Sequence, residues 1–391
     1  MKLIEVDNKK LYKKFHKVPF IIYKNDKNWI PHLRQDIDKI FDTNKNKLFQ
    51  MGGEAIRWVL KDDSGKLIGR VAAFINPKTI DVDPHKLRVG GMGFFECIDN
   101  QNAANMLFDA CKNWLKNRSV VGMDGSINFG ERNEFWGVLV ENFTDPPIYQ
   151  LNYNPSYYKN LFENYGFKVY FNQILFSRSI HDVLPAHYER SFNIVMRNPK
   201  FEIKTIEGIS LEKVAEYFRI VYNGAWATHK GFKEMKPEAA QKIMQSLKPI
   251  INPQIIVFVF YDKKPIAFYV NIPELNEVFK YVNGNLNWLG KIKFLYYNWA
   301  KPPKTMVGIV FGVIKEYHGK GIDAALIKWY LDNIVNIAGY DNTVFAWVGD
   351  FNPKMINVSK SLGGKEYRKL STYRYLFDPK ATFERHPILN A

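Results

Sequence analysis

The chain has 391 residues, 46% of them hydrophobic and 24% charged, with a formal net charge of +16. That length exceeds one ordinary core, so two domains or two fused halves are expected, and the composition excludes a disordered chain. No apolar run approaches the ~20 residues that span a bilayer, and the start "MKLIEVDNKKLYKKF" has no signal-peptide core, so neither a membrane partner nor export is expected.

Taken in chain order, "EAIRWVLKDDSGKLIGRVAAFI" (Glu54 to Ile75) places two apolar runs around a turn and predicts a β-hairpin. "GGMGFFECI" (Gly90 to Ile98) predicts a strand. The polar turn "DNQN" then opens a helix with Ala104, Leu107, Phe108, Cys111, Trp114 and Leu115 on one face. "SVVGMDG" predicts a strand, "PSYYKNLFENYGF" a short helix and "VYFNQILFSRS" another strand. The run from Asp145 to Phe167 is dense in rings and prolines; core is expected there, with Tyr157 and Tyr158 open between core and a ring-lined pocket. A boundary between Ser179 and Lys204 divides a first half, 1–185, from a second, 186–391.

The second half repeats the plan. "SLEKVAEYFRIVYNGAWATHKGFKEMKPEAAQKIMQSL" predicts two helices around a loop at Asn223 to Pro237. A hairpin (Gln254 to Ile272) and a strand (Thr305 to Ile314) follow. A glycine turn then opens a helix whose Ile322, Leu326, Trp329, Tyr330 and Ile337 share a face. A strand (Asn342 to Val348), the short helix "PKMINVSKSLGG" and the strand "YRKLSTYRYLF" complete it.

Cys97 and Cys111 are the only cysteines, too few for a disulfide framework or a zinc site, which fits a reducing cytoplasm. The eight histidines show no metal-ligand spacing, so no metal is expected. A basic chain suits nucleic acid, anionic membranes or phosphate-bearing small molecules. Here the lysines are scattered and their clusters short, so charge alone does not choose among these, and nucleic acid stays open.

The segment "VFGVIKEYHGKGIDAALI", Val310 to Ile327, narrows the choice. It resembles the strand, pyrophosphate loop and helix of the GCN5-related N-acetyltransferase (GNAT) superfamily. That loop's pattern, Q/R-x-x-G-x-G/A, is matched by Glu316, Tyr317, His318, Gly319, Lys320 and Gly321. "DFNPKMINVSKSLGG" is similar to the segment in which the family's asparagine precedes a short helix. The whole chain resembles bacterial proteins carrying two such halves in tandem. The resemblance implies an α/β fold on a mixed sheet, and acetyl-CoA or another acyl-CoA as cofactor.

The physics of the loop agrees with that implication. First-turn helix amides lack intrahelical partners and carry partial positive charge, so a diphosphate suits them where glycine lets the backbone come close. The cofactor residues so implied are Phe311, Gly312 and Val313 on the strand, His318, Gly319, Lys320, Gly321 and Ile322 at the turn, and Asn352. Three positions depart from the family: Glu316 for Gln or Arg, Asp323 for a third glycine, and Ser359 where a tyrosine often serves as acid. The first half's equivalent loop, Asp99 to Asn102, has no glycine and its own helix cap, so no cofactor is expected there.

Glu274 and Asp350 are the carboxylates expected to serve as base, with turn or cap roles as the plain alternative. Trp226 and His229 stand where the family grips its acceptor, and Tyr373 on the last strand is a further cleft candidate. The expected activity is acyl transfer from acyl-CoA to a small-molecule amine between the halves. A non-catalytic binder of the same fold and a basic RNA-linked factor are the other classes.

Overall fold

Local chemistry places the element ends. Asn8 caps the first long helix by accepting from the Lys10 and Leu11 amides, and Gly166, at φ 108°, ends the short helix before the first half's last strand. The computed structural model describes residues 1–227, 233–337 and 339–389.

The first half runs β1 (Lys2–Glu5), α1 (Lys9–Ile22), α2 (Arg34–Phe41), α3 (Lys47–Gln50), β2 (Glu54–Lys61), β3 (Leu67–Ile75), β4 (Val89–Cys97), α4 (Gln101–Lys116), β5 (Gly122–Gly125), β6 (Val138–Glu141), α5 (Tyr158–Tyr165) and β7 (Lys168–Ser179). The second runs α6 (Ala186–Met196), β8 (Phe201–Thr205), α7 (Leu211–Trp226), α8 (Pro237–Leu247), β9 (Ile256–Tyr261), β10 (Lys264–Pro273), α9 (Asn276–Phe279), α10 (Trp288–Ala300), β11 (Thr305–Val313), α11 (Ile322–Ile337), β12 (Asn342–Phe345), β13 (Val348–Gly349), α12 (Pro353–Ser361) and β14 (Lys365–Leu376). The hairpins, the strand–helix order and the glycine turn stand where periodicity puts them.

All strands join one mixed sheet, ordered β1-β2-β3-β4-β5-β14-β7-β12-β11-β10-β9-β8, with β6 on β14 and β13 on β7. Helices cover both faces. In the first half α4 and α5 close one core around Phe108 and Phe162, and α1 closes another around Phe15 and Phe74. In the second, α6 and α11 pack over Leu326 and Tyr330, while α7 and α8 pack over Phe218 and Phe268. Strands covered on both faces are buried at every position, as β3 and β4 are, and apolar there save for the ion pair Arg70–Glu96.

The sheet centre departs from a simple division after residue 185. The chain's last strand, β14, enters the first half's sheet beside β5, with Tyr373 opposite Gly125. The first half's last strand, β7, lies beside β12 of the second, with Val344 opposite Ser177. β7 and β14 pair with each other from Lys365↔Ser177 to Arg374↔Lys168. Each half thus lends its final strand to the other. Among the described residues no helix is long and apolar enough to cross a membrane.

Candidate functional site

Strands β11 and β12 run parallel only from Thr305↔Asn342 to Gly308↔Phe345. Beyond that they part, and the β12-facing backbone of residues 309–313 has no ladder partner among the described residues. On its other side β11 pairs with β10, and Val270 faces Val310 while Asn271 faces Gly308. Ile309 is therefore the extra residue of a β-bulge, which leaves its backbone unpaired and turns the strand.

The wedge between the parted strands is a cleft of about 450 Å3. Its wall is largely apolar: Trp226, Ile309, Phe311, Phe345, Trp347 and Met355 all border it. Glycine keeps the strand side thin. A Cβ on Gly312 would stand 2.8 Å from the Trp226 ring, and one on Gly308 would stand 3.1 Å from the Tyr269 hydroxyl.

β11 leads from this cleft into a 3-10 turn at Lys315–Tyr317 and then into α11. Gly319 and Gly321 take φ of 72° and 74°, a region that costs other residues strain. The Tyr317, His318 and Lys320 amides donate to Ile314, Lys315 and Tyr317 within the turn. Among the described residues no acceptor is paired with the amides of Gly319, Gly321, Ile322 or Asp323. Gly319 and Lys320 are exposed, and the exposed carboxylates of Glu316 and Asp323 take none of these amides. Helix α6 forms one wall, since a Cβ on Gly321 would stand 3.3 Å from Ser191. The His318 ring folds back, its Nε2 2.9 Å from the Val313 carbonyl, and the Lys320 ammonium lies 5.0 Å over the Tyr317 ring.

Of the sequence candidates, the structure brings Trp226, Phe311 and Asn352 to the cleft. Asn352 also caps α12, accepting from the Met355 amide at 3.2 Å. Gly312 and Val313 are buried in the strand that leads to the loop. Ser359 borders the cleft, but its hydroxyl donates to the Met355 carbonyl. His229 lies outside the described residues.

Three candidates stand elsewhere. Tyr373 is fully buried in the first half's core and donates to Glu163 at 3.0 Å, because β14 crosses into that sheet. Glu274 sits at the far end of β11, its amide bonded to the Thr305 carbonyl. Eight residue steps along the strand, roughly 26 Å, separate that point from Val313. Glu274 borders a different cavity, of about 390 Å3, and accepts from the Tyr149 amide of the first half at 2.8 Å. Burial pushes its carboxyl up to about 8. Asp350 falls between the cleft residues Gly349 and Phe351, yet its carboxylate is taken by Asn172 at 2.9 Å and Arg385 at 2.6 Å.

Sequence patterns miss two polar groups at the cleft. Tyr269 of β10 borders it, and burial, eased by the Thr343 hydroxyl and Arg178, pushes its phenol up to about 12. Alternation along β10 puts Tyr269 on a defined face, but only the parting of β11 from β12 leaves that face open. Arg132, from the first half, reaches the same cleft over the Trp136 and Phe171 rings. No carboxylate or histidine is among the described residues lining it.

A mixed sheet with a splayed parallel pair, a bulge in the longer strand and a glycine turn after it defines the GNAT fold, here with two units in tandem. In agreement, the chain superimposes on a tandem GNAT protein from the clavulanic acid biosynthesis pathway with a TM-score of 0.53 and 8% identity, covering 97% of this chain and 99% of that one. It also superimposes, with TM-score 0.53 and 13% identity, on a glucosamine N-acetyltransferase region of a fungal multi-domain beta-N-acetylglucosaminidase; 96% of this chain is covered, but only 38% of that longer one. In sequence it is 24% identical over 373 residues to protein YghO of Escherichia coli, covering 94% of this chain and 93% of that protein. It is 22% identical over 364 residues to a bacterial ceramide synthase of Caulobacter vibrioides, covering 92% and 94%. No protein-family profile matches the chain.

Proposed function

We propose that the chain transfers an acyl group from acyl-CoA to an amine, with the donor held by the second half and the acceptor in the cleft beside the first. One relationship carries this: the strand that bulges at Ile309 leads into the turn where the amides of Gly319, Gly321, Ile322 and Asp323 have no acceptor among the described residues. A diphosphate on those amides and an extended amide-bearing arm along the free edge of 309–313 would bring a thioester to the bulge.

Acyl-CoA supplies the activated thioester. The bulge amide of Ile309 would donate to the carbonyl oxygen on which charge develops in acyl transfer. The Tyr269 phenol gives its proton to the departing sulfur as the C–S bond breaks and the C–N bond forms. The amine's own proton leaves to water, because no described carboxylate or histidine borders the cleft. The first half keeps no such loop: Asn100 already caps α4 by accepting from the Ala103 amide at 2.9 Å.

The apolar wall supports a hydrocarbon chain on the acyl group or the acceptor. The ceramide synthase relative points the same way, since a ceramide is a fatty amide of a long-chain amino alcohol. A second reading, a binder without turnover, is favoured by Ser359 standing where a tyrosine often serves as acid.

Calorimetric titration with acetyl-CoA and palmitoyl-CoA tests the first step, using Gly319→Asp and Gly319→Asn. Both side chains tolerate this φ and meet open space, so only charge separates them. Binding by the wild-type chain, kept by Asn and weakened about tenfold by Asp, is expected. Failure to bind at millimolar donor removes the proposal. Binding without product on any long-chain amine, followed by mass spectrometry, leaves the binder.

A further inference from the structure

Between β10 and β11 the chain inserts α9 and α10, and α10 carries an unusual outer face. Its sequence is WLGKIKFLYYNWA, and within the helix only Gly290 is buried. The inner side is fixed. Phe294 joins a cluster with Leu33, Leu275, Phe279 and Val282, and Tyr297 stacks on Tyr281 with ring centroids 3.9 Å apart. Asn287 caps the start by accepting from the Gly290 amide at 2.9 Å. The helix is therefore held in one pose on the protein.

The opposite side is apolar and bare. Trp299 is 80% exposed, Trp288 and Leu295 68% each, and Leu289, Ile292 and Tyr296 are exposed as well. At 3.6 residues per turn these six fall on one arc about 120° wide, opposite the Gly290–Phe294–Tyr297 side. Lys293 borders one margin of the arc and Lys291 the other. No Asp or Glu stands between Glu277 and Glu316, while Lys280, Lys291, Lys293, Lys301, Lys304 and Lys315 all do. Isolated exposed apolar residues need no explanation, but six on one rigid helix do.

We infer that α10 lies in the surface of an anionic phospholipid bilayer, apolar arc down, with Lys291 and Lys293 on the headgroups. Thirteen residues make a helix of roughly 20 Å, too short to span ~30 Å of hydrocarbon but suited to lie along its boundary. Tryptophan near each end and tyrosine between them match the chemistry of that boundary, where a ring is half buried and its N–H or O–H stays wet. The lysine margins and the acid-free stretch complement phosphate headgroups, which selects a membrane over an uncharged protein groove. The absence of a long apolar run, from which no membrane partner is expected, bears on spanning and not on lying flat. This inference is independent of the acyl-transfer reading.

Co-sedimentation of the full chain with vesicles tests it, using phosphatidylglycerol and phosphatidylcholine in equal parts against phosphatidylcholine alone. The wild-type chain is expected in the pellet with the anionic vesicles, less so at high salt. Leu295→Ser with Trp299→Ser should lower the partition at least about tenfold, since two apolar anchors leave the interface. Lys291→Glu with Lys293→Glu should abolish the preference for phosphatidylglycerol. Ile194→Ser, which removes an exposed apolar residue from α6, should change nothing. Unchanged circular dichroism melts would show that the variants fold. A wild-type chain left in the supernatant, or a double serine variant that pellets equally, overturns the inference. So does a dimer in light scattering that the serine variant dissolves without any vesicle binding, since the face then belongs to a second copy.

Discussion

Arg374 on the last strand donates through Nε and Nη2 to the two carboxylate oxygens of Asp124 on β5, at 2.7 and 2.9 Å. Asp83 takes Nη2 as well, at 2.7 Å, and the guanidinium lies 3.6 Å over the Tyr170 ring. Arg374 and Asp83 are almost wholly buried. This pair fastens the strand that the second half inserts into the first. Removing one partner leaves a buried charge alone, so Arg374→Met is expected to cost about 3–5 kcal/mol. Urea unfolding of wild type and variant measures it; a loss under about 1 kcal/mol would show the pair to be idle.

Because β7 and β14 are exchanged, neither half is expected to fold alone. Fragment 1–185 lacks β14, which lies between β5 and β7, and fragment 186–391 lacks β7, which lies between β14 and β12. Near-ultraviolet circular dichroism of each fragment should show no fixed tertiary signal, and mixing the two should restore it. A folded, monomeric 1–185 would contradict this.

Glu274 makes stability depend on pH. Burial holds its folded value at about 8, against about 4.3 when unfolded, so the folded chain keeps a proton that the unfolded chain has lost. Its contribution to stability therefore falls as pH rises through that window and levels off above it. Glu274→Gln removes the titration. Its Tm should match wild type near pH 5 and exceed it progressively towards pH 8, by up to a few kcal/mol in stability. A pH-independent difference would mean that the carboxyl is ionised throughout.

Gly312 and Trp226 test the strand side of the cleft. Gly312→Ala puts a methyl group 2.8 Å from the indole and 3.2 Å from the Phe268 ring, with an expected loss of about 1–3 kcal/mol. Trp226→Leu should absorb much of that, so the double variant would be more stable than the two single losses add up to. Additive losses in thermal unfolding would show that the two positions do not meet.

If Tyr269 protonates the leaving sulfur, Tyr269→Phe should lower kcat about a hundredfold and leave acyl-CoA affinity unchanged. Steady-state kinetics with calorimetric binding separates the two quantities. Equal kcat in the variant would remove Tyr269 from the chemistry.

By itself the sequence determined what short-range physics determines. Periodicity located the hairpins, the strand before the glycine turn and the helix after it. The glycines Gly319 and Gly321, which take positive φ, marked the loop in which four amides have no acceptor among the described residues. Asn352 and Trp226 came from the resemblance to the GNAT family, and both border the cleft. Tertiary structure decided the rest, because strand pairing joins residues far apart in the chain. Tyr373 and Tyr269 both sit on alternating strands, and neither pattern tells which neighbour will cover them. The exchange of β14 buries the first, and the parting of β11 from β12 opens the second. Glu274 and the glycine loop are close in sequence plan but stand at opposite ends of one strand. Helix α10 is apolar over most of its surface, a pattern shared by buried and unburied helices, and only its packing shows that the apolar arc is left exposed among the described residues.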